Sequence, residues 1–365
     1  LNGGPITAEN VGAEFYGTIL TITASPHEYG TIWVGSDDGL IHVTRNDGES
    51  WDEVTPQDLR GAMINSIEVS PHNPGTAYVA VAGYKMNDFR PYIYKLTDFG
   101  RQSRRIDRGL PDDNFIRVVR EDPERQGLLF AGSEVSLYVS FDDGDNWQSL
   151  ALNLPPVPIT DLAIRQNDLV VSTQGRALWV LDDLSALRQV QNDMISKPLH
   201  VFTPGPVEMI KGSNPSEPSK TKGTNPLRGV VFNYHIRDEQ EDPLTIEITD
   251  NNGNHVRTYS SEESDFERCI IANIDQRLPF KVKYPPKEQG ANKWVWDMRR
   301  HGLHCIDDIK LFEGFAGAYV MPGTYQARIS IGGAEDTVTL NLITDRRITA
   351  DSHAIAEVEQ KVFDL

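Results

Sequence analysis

The feature of this 365-residue sequence that most constrains its fold is a unit that recurs four times. Each unit opens with a strand of alternating apolar residues, and the first three opening strands end close to Pro26, Pro71 and Pro123. A second and a third short apolar strand follow, and a fourth begins at Trp51 and at Trp147 in two of the copies. Short strands repeated about every 50 residues are typical of β-propeller blades, so we predict four blades.

The turn between the third and fourth strands, here called the outer turn, carries the most specific motif. Residues 44–51 (TRNDGESW) and 140–147 (SFDDGDNW) share the pattern S/T-x-D/N-x-G-x-x-W, whereas residues 96–103 keep only the Asp and the Gly. An acidic or amide side chain caps the backbone of its own turn, glycine permits a positive φ, and tryptophan packs between blades. We therefore predict structural rather than catalytic roles for Asn46, Gly48, Trp51, Asp98, Gly100, Asp142, Gly144 and Trp147.

The outer-turn motif resembles the Asp-box of sialidase-like propellers. Most of the chain resembles the C-terminal part of a family of large bacterial secreted proteins, glycosyl-hydrolase-like or sortilin-like, with Asp-box (BNR) repeats. The resemblance rests on residues 35–39 (GSDDG), 173–183 (TQGRALWVLDD), 294–299 (WVWDMR) and 322–325 (PGTY). The chain departs from the family at Gln174, where histidine is usual, and Cys305 lies in a loop with no counterpart that we recognise. The resemblance implies a bacterial protein located in the periplasm or outside the cell.

The sequence after the repeats predicts a second domain. Residues 206–226 are rich in Pro, Ser, Gly and Lys, which is typical of a linker or an exposed loop. Alternating strands and the hairpin turn Asp250–Gly253 then predict an immunoglobulin-like β-sandwich over residues 227–346. We expect an all-β fold, with the blades in residues 1–205 and a C-terminal helix over residues 347–365.

Charge and composition exclude several classes of partner. The formal net charge of −18 argues against nucleic acids and anionic membranes. No run of about 20 apolar residues is present to span a bilayer, and the first residues lack the features of a signal peptide. The two cysteines, Cys269 and Cys305, either pair in an oxidising compartment or stay free, because their spacing does not decide between these states.

The sequence motifs point to no metal and no cofactor. P-loop, dinucleotide-binding, nucleophile-elbow and zinc-protease motifs are absent. His301, His304 and Cys305 lie close together in the sequence, but no second cluster completes a tetrahedral zinc site. We therefore expect a protein that works without a cofactor.

Strand order predicts where a binding surface lies. In an antiparallel blade, the loop between the second and third strands, here called the middle loop, lies at the end opposite the outer turn. The links between blades lie at that same end. Acids, aromatic rings and arginines gather there, which suits recognition of a polypeptide or a glycan. The candidates are Asp37, Asp38, Tyr84, Asp88, Arg90, Asp112, Asp113, Glu134, Gln174 and Arg176, with Arg60 in one of the links.

Two functions remain open at this stage. One is a non-catalytic propeller-plus-sandwich module that binds a polypeptide or a glycan outside the cytoplasm. The other is a glycoside hydrolase of the xyloglucanase or sialidase kind, which acts through paired carboxylates. A sialidase also needs an arginine cluster and a tyrosine, for which the sequence offers Arg90, Arg117, Arg176 and Tyr84.

The repeat further predicts that these four blades belong to a larger assembly. An array of blades with open ends exposes strand edges and apolar faces, and propellers resembling this one generally have more blades. We therefore expect the remaining N-terminal blades of the same protein, or a second chain, to cover the open faces.

Overall fold

The computed structural model describes residues 16–59, 61–191, 193–210, 223, 225–264, 284–302, 317–347, 349, 354, 357, 358 and 361. The chain divides into two compact units, residues 1–184 and residues 185–365. In both units the described residues lie mainly in β-strands, and the bounded helices are short. The prediction of an all-β fold is therefore confirmed.

The first unit consists of four antiparallel sheets that follow one another along the chain, and strands pair in sequence order within each sheet, as in propeller blades. The first blade contains β1 (Ile19–Ala24), β2 (Ile32–Ser36), β3 (Ile41–Thr44) and β4 (Asp52–Glu53). The second contains β5 (Met63–Val69), β6 (Ala77–Gly83), a 3-10 helix (Tyr84–Met86), β7 (Asp88–Thr97) and β8 (Gln102–Arg105). The third contains β9 (Ile116–Glu121), β10 (Leu129–Ser133), β11 (Leu137–Ser140) and β12 (Gln148–Ser149). The described part of the fourth contains β13 (Ile159–Arg165), β14 (Asp168–Thr173) and β15 (Leu178–Leu181).

Apolar packing holds consecutive blades together. The first strands lie beside one another, with β1 next to β5, β5 next to β9 and β9 next to β13. The first and second blades share a core that includes Trp33, Ile41, Val43, Ile67 and Val79. The second and third share another that includes Tyr78, Ile93, Ile106, Val119 and Trp147. Because each large apolar side chain stabilises the fold by roughly 1.5 to 3 kcal/mol when fully buried, these cores hold consecutive blades together.

Two histidines add polar contacts between blades. Nε2 of His27 donates to the carbonyl of Ser70 at 2.9 Å, and Nε2 of His72 donates to the carbonyl of Asp122 at 2.8 Å. Each histidine follows the proline after its first strand, so each contact joins one blade to the same turn of the next blade.

The second unit begins with α1 (Ser185–Gln189) and a 3-10 helix (Met194–Ser196). Its strands are β16 (Leu199–Phe202), β17 (Val207–Met209), β18 (Val230–Ile236), β19 (Thr245–Asp250), β20 (His255–Ser260), β21 (Gly290–Trp296), β22 (Gly323–Ile331) and β23 (Ala334–Thr344). They form a sheet of order β16–β18–β21 and a sheet of order β17–β23–β22–β19–β20. Residues of both sheets, among them Phe232, Trp296, Ile246 and Leu340, share one core. This unit is therefore a β-sandwich, and its immunoglobulin-like topology stays a prediction.

Two strands of the second unit lie outside the sandwich limits expected from the sequence. β16 was expected to end the blade region, but it pairs with β18 and so belongs to the second unit. β17 falls in the expected linker, yet it pairs in parallel with β23. Short strands of this kind are fixed by distant partners, which local sequence patterns do not reveal.

Several sequence expectations concern residues whose structure is not described. Most of the expected linker (211–222 and 224), Arg60, and both Cys269 and Cys305 fall outside the described ranges. In the predicted C-terminal helix, the described residues Ala354, Glu357, Val358 and Lys361 are helical. Within the described ranges, we find no helix with the length and apolar character needed to cross a bilayer.

Candidate functional site

Backbone hydrogen bonds define the two ends of each blade. In the first three blades the outer turn donates to the turn between the first and second strands, through Asp47 to Gly30, Phe99 to Gly75 and Asp143 to Gly127. At the other end, the middle loop donates to the link that enters the blade, through Asp37 to Thr18, Glu134 to Phe115 and Gln174 to Pro158. The middle loops and links therefore lie at the end opposite the outer turns.

The outer turns are closed by their own side chains. The hydroxyl of Thr44 accepts the N–H of Gly48 at 3.0 Å, and Oδ1 of Asn46 accepts the N–H of Ser50 at 3.0 Å. In the third blade, Oδ1 of Asp142 accepts the N–H of Asn146 at 2.9 Å. Burial alone would raise the pKa of Asp142, but hydrogen bonds from Asn146 and from the Ser140 hydroxyl lower it below its usual range. These contacts are internal to the turn, and they support our proposal of a structural role.

The two tryptophans of the outer-turn motif differ in burial. Trp147 is 5% exposed, and its Nε1 donates to the carbonyl of Ile106 in the preceding blade at 2.6 Å. Trp51 is 43% exposed and does not lie between two described blades, contrary to the expectation from the motif. The physical reason is that the described residues place no blade ahead of the first one.

An aromatic surface lies at the middle-loop end, formed by Tyr84, Met86 and Phe89 of one loop, and the rings of Tyr84 and Phe89 contact the buried ring of Phe115. The rings of Tyr84 and Phe115 are stacked, with centroids 5.1 Å apart and an angle of 27°. Phe89 meets the same ring at 6.4 Å. Tyr84, Met86 and Phe89 are all exposed. Phe115 therefore supports two aromatic side chains that are exposed to solvent.

Two ion pairs lie on residues next to this surface. Arg117 donates through Nε to Oε2 of Glu134 at 2.6 Å, and its guanidinium lies 5.2 Å from the centre of the Phe115 ring. Arg90 pairs with Asp88 at 2.6 Å, and the hydroxyl of Tyr92 donates to the same carboxylate at 2.7 Å. Hydrogen bonds from Arg90 and Tyr92 hold the pKa of Asp88 well below its usual range. Both carboxylates therefore lie beside cations.

Four sequence candidates are thus brought near one another: Tyr84, Asp88, Arg90 and Glu134. The remaining candidates make hydrogen bonds within their own blades or are exposed, and among the exposed ones Asp112 interacts electrostatically with Arg90. Oδ1 of Asp37 accepts the N–H groups of Gly17 and Thr18, and Asp38 accepts a hydrogen bond from Ser36. The other four, Asp112, Asp113, Gln174 and Arg176, are exposed.

A second location emerges from the structure where β5, β9 and β13 end. A cavity of about 340 Å³ opens there, and its charged lining consists of Glu68, Arg120, Glu121, Asp161 and Arg165. Nη2 of Arg120 donates to Oδ1 of Asp161 at 2.7 Å, whereas its Nη1 lies 3.6 Å from Oε2 of Glu68. Burial raises the pKa of Glu68 to about 7, with Arg120 opposing the shift and Glu121 and Asp161 adding to it. Two of the three carboxyl groups in the lining, those of Glu68 and Asp161, therefore lie in unlike environments on Arg120: Asp161 is hydrogen-bonded to it and Glu68 is not.

Five residues of these two locations are not among the candidates that the sequence indicates: Glu68, Phe89, Phe115, Arg120 and Asp161. Glu68 and Arg120 interrupt apolar strands, which is the only signal that the sequence offers for them. Phe115 follows the candidate acids Asp112 and Asp113, but its stack with Tyr84 depends on the fold. For the described part of the chain, no group of three or more His, Cys, Asp or Glu side chains is placed to hold a metal ion.

Comparisons with known proteins show fold-level similarity only. No protein-family model and no curated protein matches the sequence. Among solved structures, the chain is similar to a GH74 xyloglucanase from Xanthomonas campestris, with 20% identity over 46% of this chain and a TM-score of 0.37. It is similar to YCF48 bound to D1 peptide, with 18% identity over 46% of the chain and a TM-score of 0.37, and to YCF48 from Cyanidioschyzon merolae, with 16% identity over 46% and a TM-score of 0.35. The matched part spans 28%, 50% and 54% of those three chains, respectively.

Proposed function

We propose that this chain is a propeller-plus-sandwich module that binds a polypeptide or a glycan through its aromatic surface. The observation that carries the proposal is the exposure of Tyr84 and Phe89 on the buried ring of Phe115, with the exposed Met86 in the same loop. Exposed rings stack on the apolar faces of sugars or on apolar side chains, and the neighbouring ion pairs supply donors and acceptors for hydroxyl or amide groups. We place the protein in the periplasm or outside the cell, in line with the bacterial family that its sequence resembles.

A binding screen tests this proposal. Purified protein is applied to a glycan array and a peptide array, and the dissociation constant of each ligand found is then measured by calorimetry. We expect Tyr84→Ala and Phe89→Ala to weaken binding at least tenfold each, because each removes a ring from the surface. Tyr29→Ala is the matched control, since Tyr29 is exposed on a different part of the first unit. Unchanged affinity in both surface variants, with their thermal unfolding also unchanged, would contradict the proposal.

The alternative function is glycoside hydrolysis at the cavity, and the raised pKa of Glu68 supports it. Glycosidases pair a carboxylic acid of raised pKa with an ionised carboxylate. Glu68 has such a raised pKa, and Asp161 is bound by the intervening Arg120. In this alternative Glu68 is the general acid and Asp161 is the base or nucleophile.

An assay for the release of reducing sugar ends distinguishes binding from glycoside hydrolysis. We expect the intact protein to bind ligand without releasing sugar. Sugar release that is abolished in Glu68→Gln and in Asp161→Asn, but retained in Asp98→Asn, would establish the hydrolase instead. Asp98 is a suitable control because its carboxylate lies in an outer turn of the second blade and is more than half exposed.

A further inference from the structure

The contacts between blades repeat at equivalent positions, and comparison of these positions shows one face that no described blade covers. Ile22, Ile67 and Val119 each stand four residues before the proline that follows the first strand of their blade. Ile67 and Val119 are 2% and 0% exposed, because each belongs to the core shared with the preceding blade. Ile22 is 65% exposed. The first blade therefore presents an uncovered copy of a face that is covered in the next two blades.

The outer turns show the same difference. A Cβ on Gly100 would lie 2.5 Å from the side chain of Val54 in the preceding blade, and a Cβ on Gly144 would lie 2.5 Å from that of Ile106. The nearest atoms to a Cβ on Gly48 belong to Trp51 of the same turn, at 3.9 Å. At the turns of Gly100 and Gly144, an aliphatic residue of the preceding blade fills this space. At the turn of Gly48 the same space is open.

The fourth blade exposes the complementary half of this interface. Its third strand carries Leu178 and Val180, which are 68% and 51% exposed. The same apolar-x-Val pattern occurs as Ile41-His42-Val43 in the first blade and as Leu137-Tyr138-Val139 in the third. Those four apolar residues are buried, and Ile41 and Val43 lie in the core shared with the second blade. The chain therefore has an open face of each kind.

We propose that a second copy of this chain docks its fourth blade onto the first blade, so that the interface between blades continues from one molecule to the next. Both halves of a recurring apolar interface are exposed on one chain, and this continuity identifies the occupant. The contact is head-to-tail, because Leu178 and Val180 of one copy meet Ile22 of the other. Such contacts close into rings or extend into linear arrays. This inference is independent of which ligand the aromatic surface binds.

Sedimentation velocity of the full chain tests the inference, in 0.3 M NaCl so that repulsion between highly acidic molecules is screened. We expect assemblies of two or more copies at concentrations of 1 to 100 µM. Ile22→Asp and Leu178→Asp are each expected to weaken self-association at least tenfold, because each places a charge in the apolar contact. Leu152→Asp is the control, since Leu152 is an exposed leucine that belongs to neither face.

A mixture of the two variants gives the sharpest result. Ile22→Asp keeps its fourth-blade face intact, and Leu178→Asp keeps its first-blade face intact. We therefore expect an equimolar mixture to form a dimer of defined 1:1 composition, although each variant alone is monomeric. Wild-type protein that stays monomeric at 100 µM, variants that assemble as tightly as the wild type, or a mixture that assembles no better than each variant alone would each overturn the proposal. If the exposed faces instead bind a blade of another polypeptide, the wild-type protein stays monomeric.

Discussion

The ionisation of Glu68 is set by its position between blades. Its carboxyl lies at the end of β5, where burial disfavours the charged form and the nearest guanidinium of Arg120 donates to other acceptors. The consequence is a pKa of about 7, compared with 4.5 for an ordinary glutamate. The sequence shows only a charged residue inside an apolar strand. The sequence does not show that the carboxyl group of Glu68 is desolvated, because its neighbours Arg120 and Asp161 belong to the third and fourth blades.

Glu68 should make the stability of the first unit pH-dependent. Between about pH 4.5 and 7 the folded chain retains a proton that the unfolded chain has lost, so this group's contribution to stability falls as pH rises. We expect Glu68→Gln to raise the free energy of unfolding at pH 8 by roughly 1 to 3 kcal/mol relative to the wild type. At pH 4 the gain should vanish. Urea unfolding at both pH values measures this, with the exposed Glu263→Gln as control, and equal effects at both pH values would contradict it.

At the scale of the element, the sequence predicted the blade strands because short apolar stretches and glycine turns are local signals. The sequence does not predict strand ends that depend on pairing with residues far away in the chain. In the second blade, the sequence pattern of the third strand is clear only at Tyr92–Tyr94, but β7 spans Asp88–Thr97. Pairing with β6 extends it on both sides of Pro91, which is an unfavourable residue within a strand. The exposed side chain of Trp51 likewise depends on what stands beside the first blade, which no motif encodes.

The outer-turn glycines allow a matched test of packing between blades. Gly48 and Gly144 both have positive φ, at 90° and 84°, so alanine at either position loses roughly 1 kcal/mol through backbone strain. At Gly144 the new methyl also collides with Ile106. We expect Gly144→Ala to lower the free energy of unfolding by about 1 to 3 kcal/mol more than Gly48→Ala. Chemical denaturation of the two variants side by side measures the difference. Equal losses of unfolding free energy would show that the Ile106 side chain moves aside without an energetic penalty.

For the whole molecule, the dominant long-range force is repulsion among the excess acids. The formal net charge is −18, and the ion pairs described around the aromatic surface involve side chains that are partly exposed. Exposed ion pairs contribute little to stability, about 0 to 1 kcal/mol each. Screening by salt therefore removes less stability by weakening these pairs than it adds by weakening the repulsion among the excess acids.

Salt should therefore stabilise this protein. We expect the midpoint of thermal unfolding to rise by a few degrees between 20 and 300 mM NaCl, since the Debye length shortens to below about 10 Å. The same rise with KCl and with tetramethylammonium chloride would show that screening is responsible. A midpoint that falls with added salt would mean that local ion pairs outweigh the net charge.

The hydrogen bonds that fasten middle loops to the entering links are made by backbone groups, at Asp37, Glu134 and Gln174. A backbone contact does not depend on which side chain the residue carries, so mutation at Glu134 or Gln174 leaves it in place, whereas at Asp37 the carboxylate also accepts N–H groups of the link. The second blade instead continues β6 to Gly83 and carries the excursion through Tyr84–Met86 into β7. Natural variation has room to change the residues of these loops, and to lengthen one of them, while the blades beneath keep their shape. The surface that the middle loops form can thus change faster than the fold that carries it.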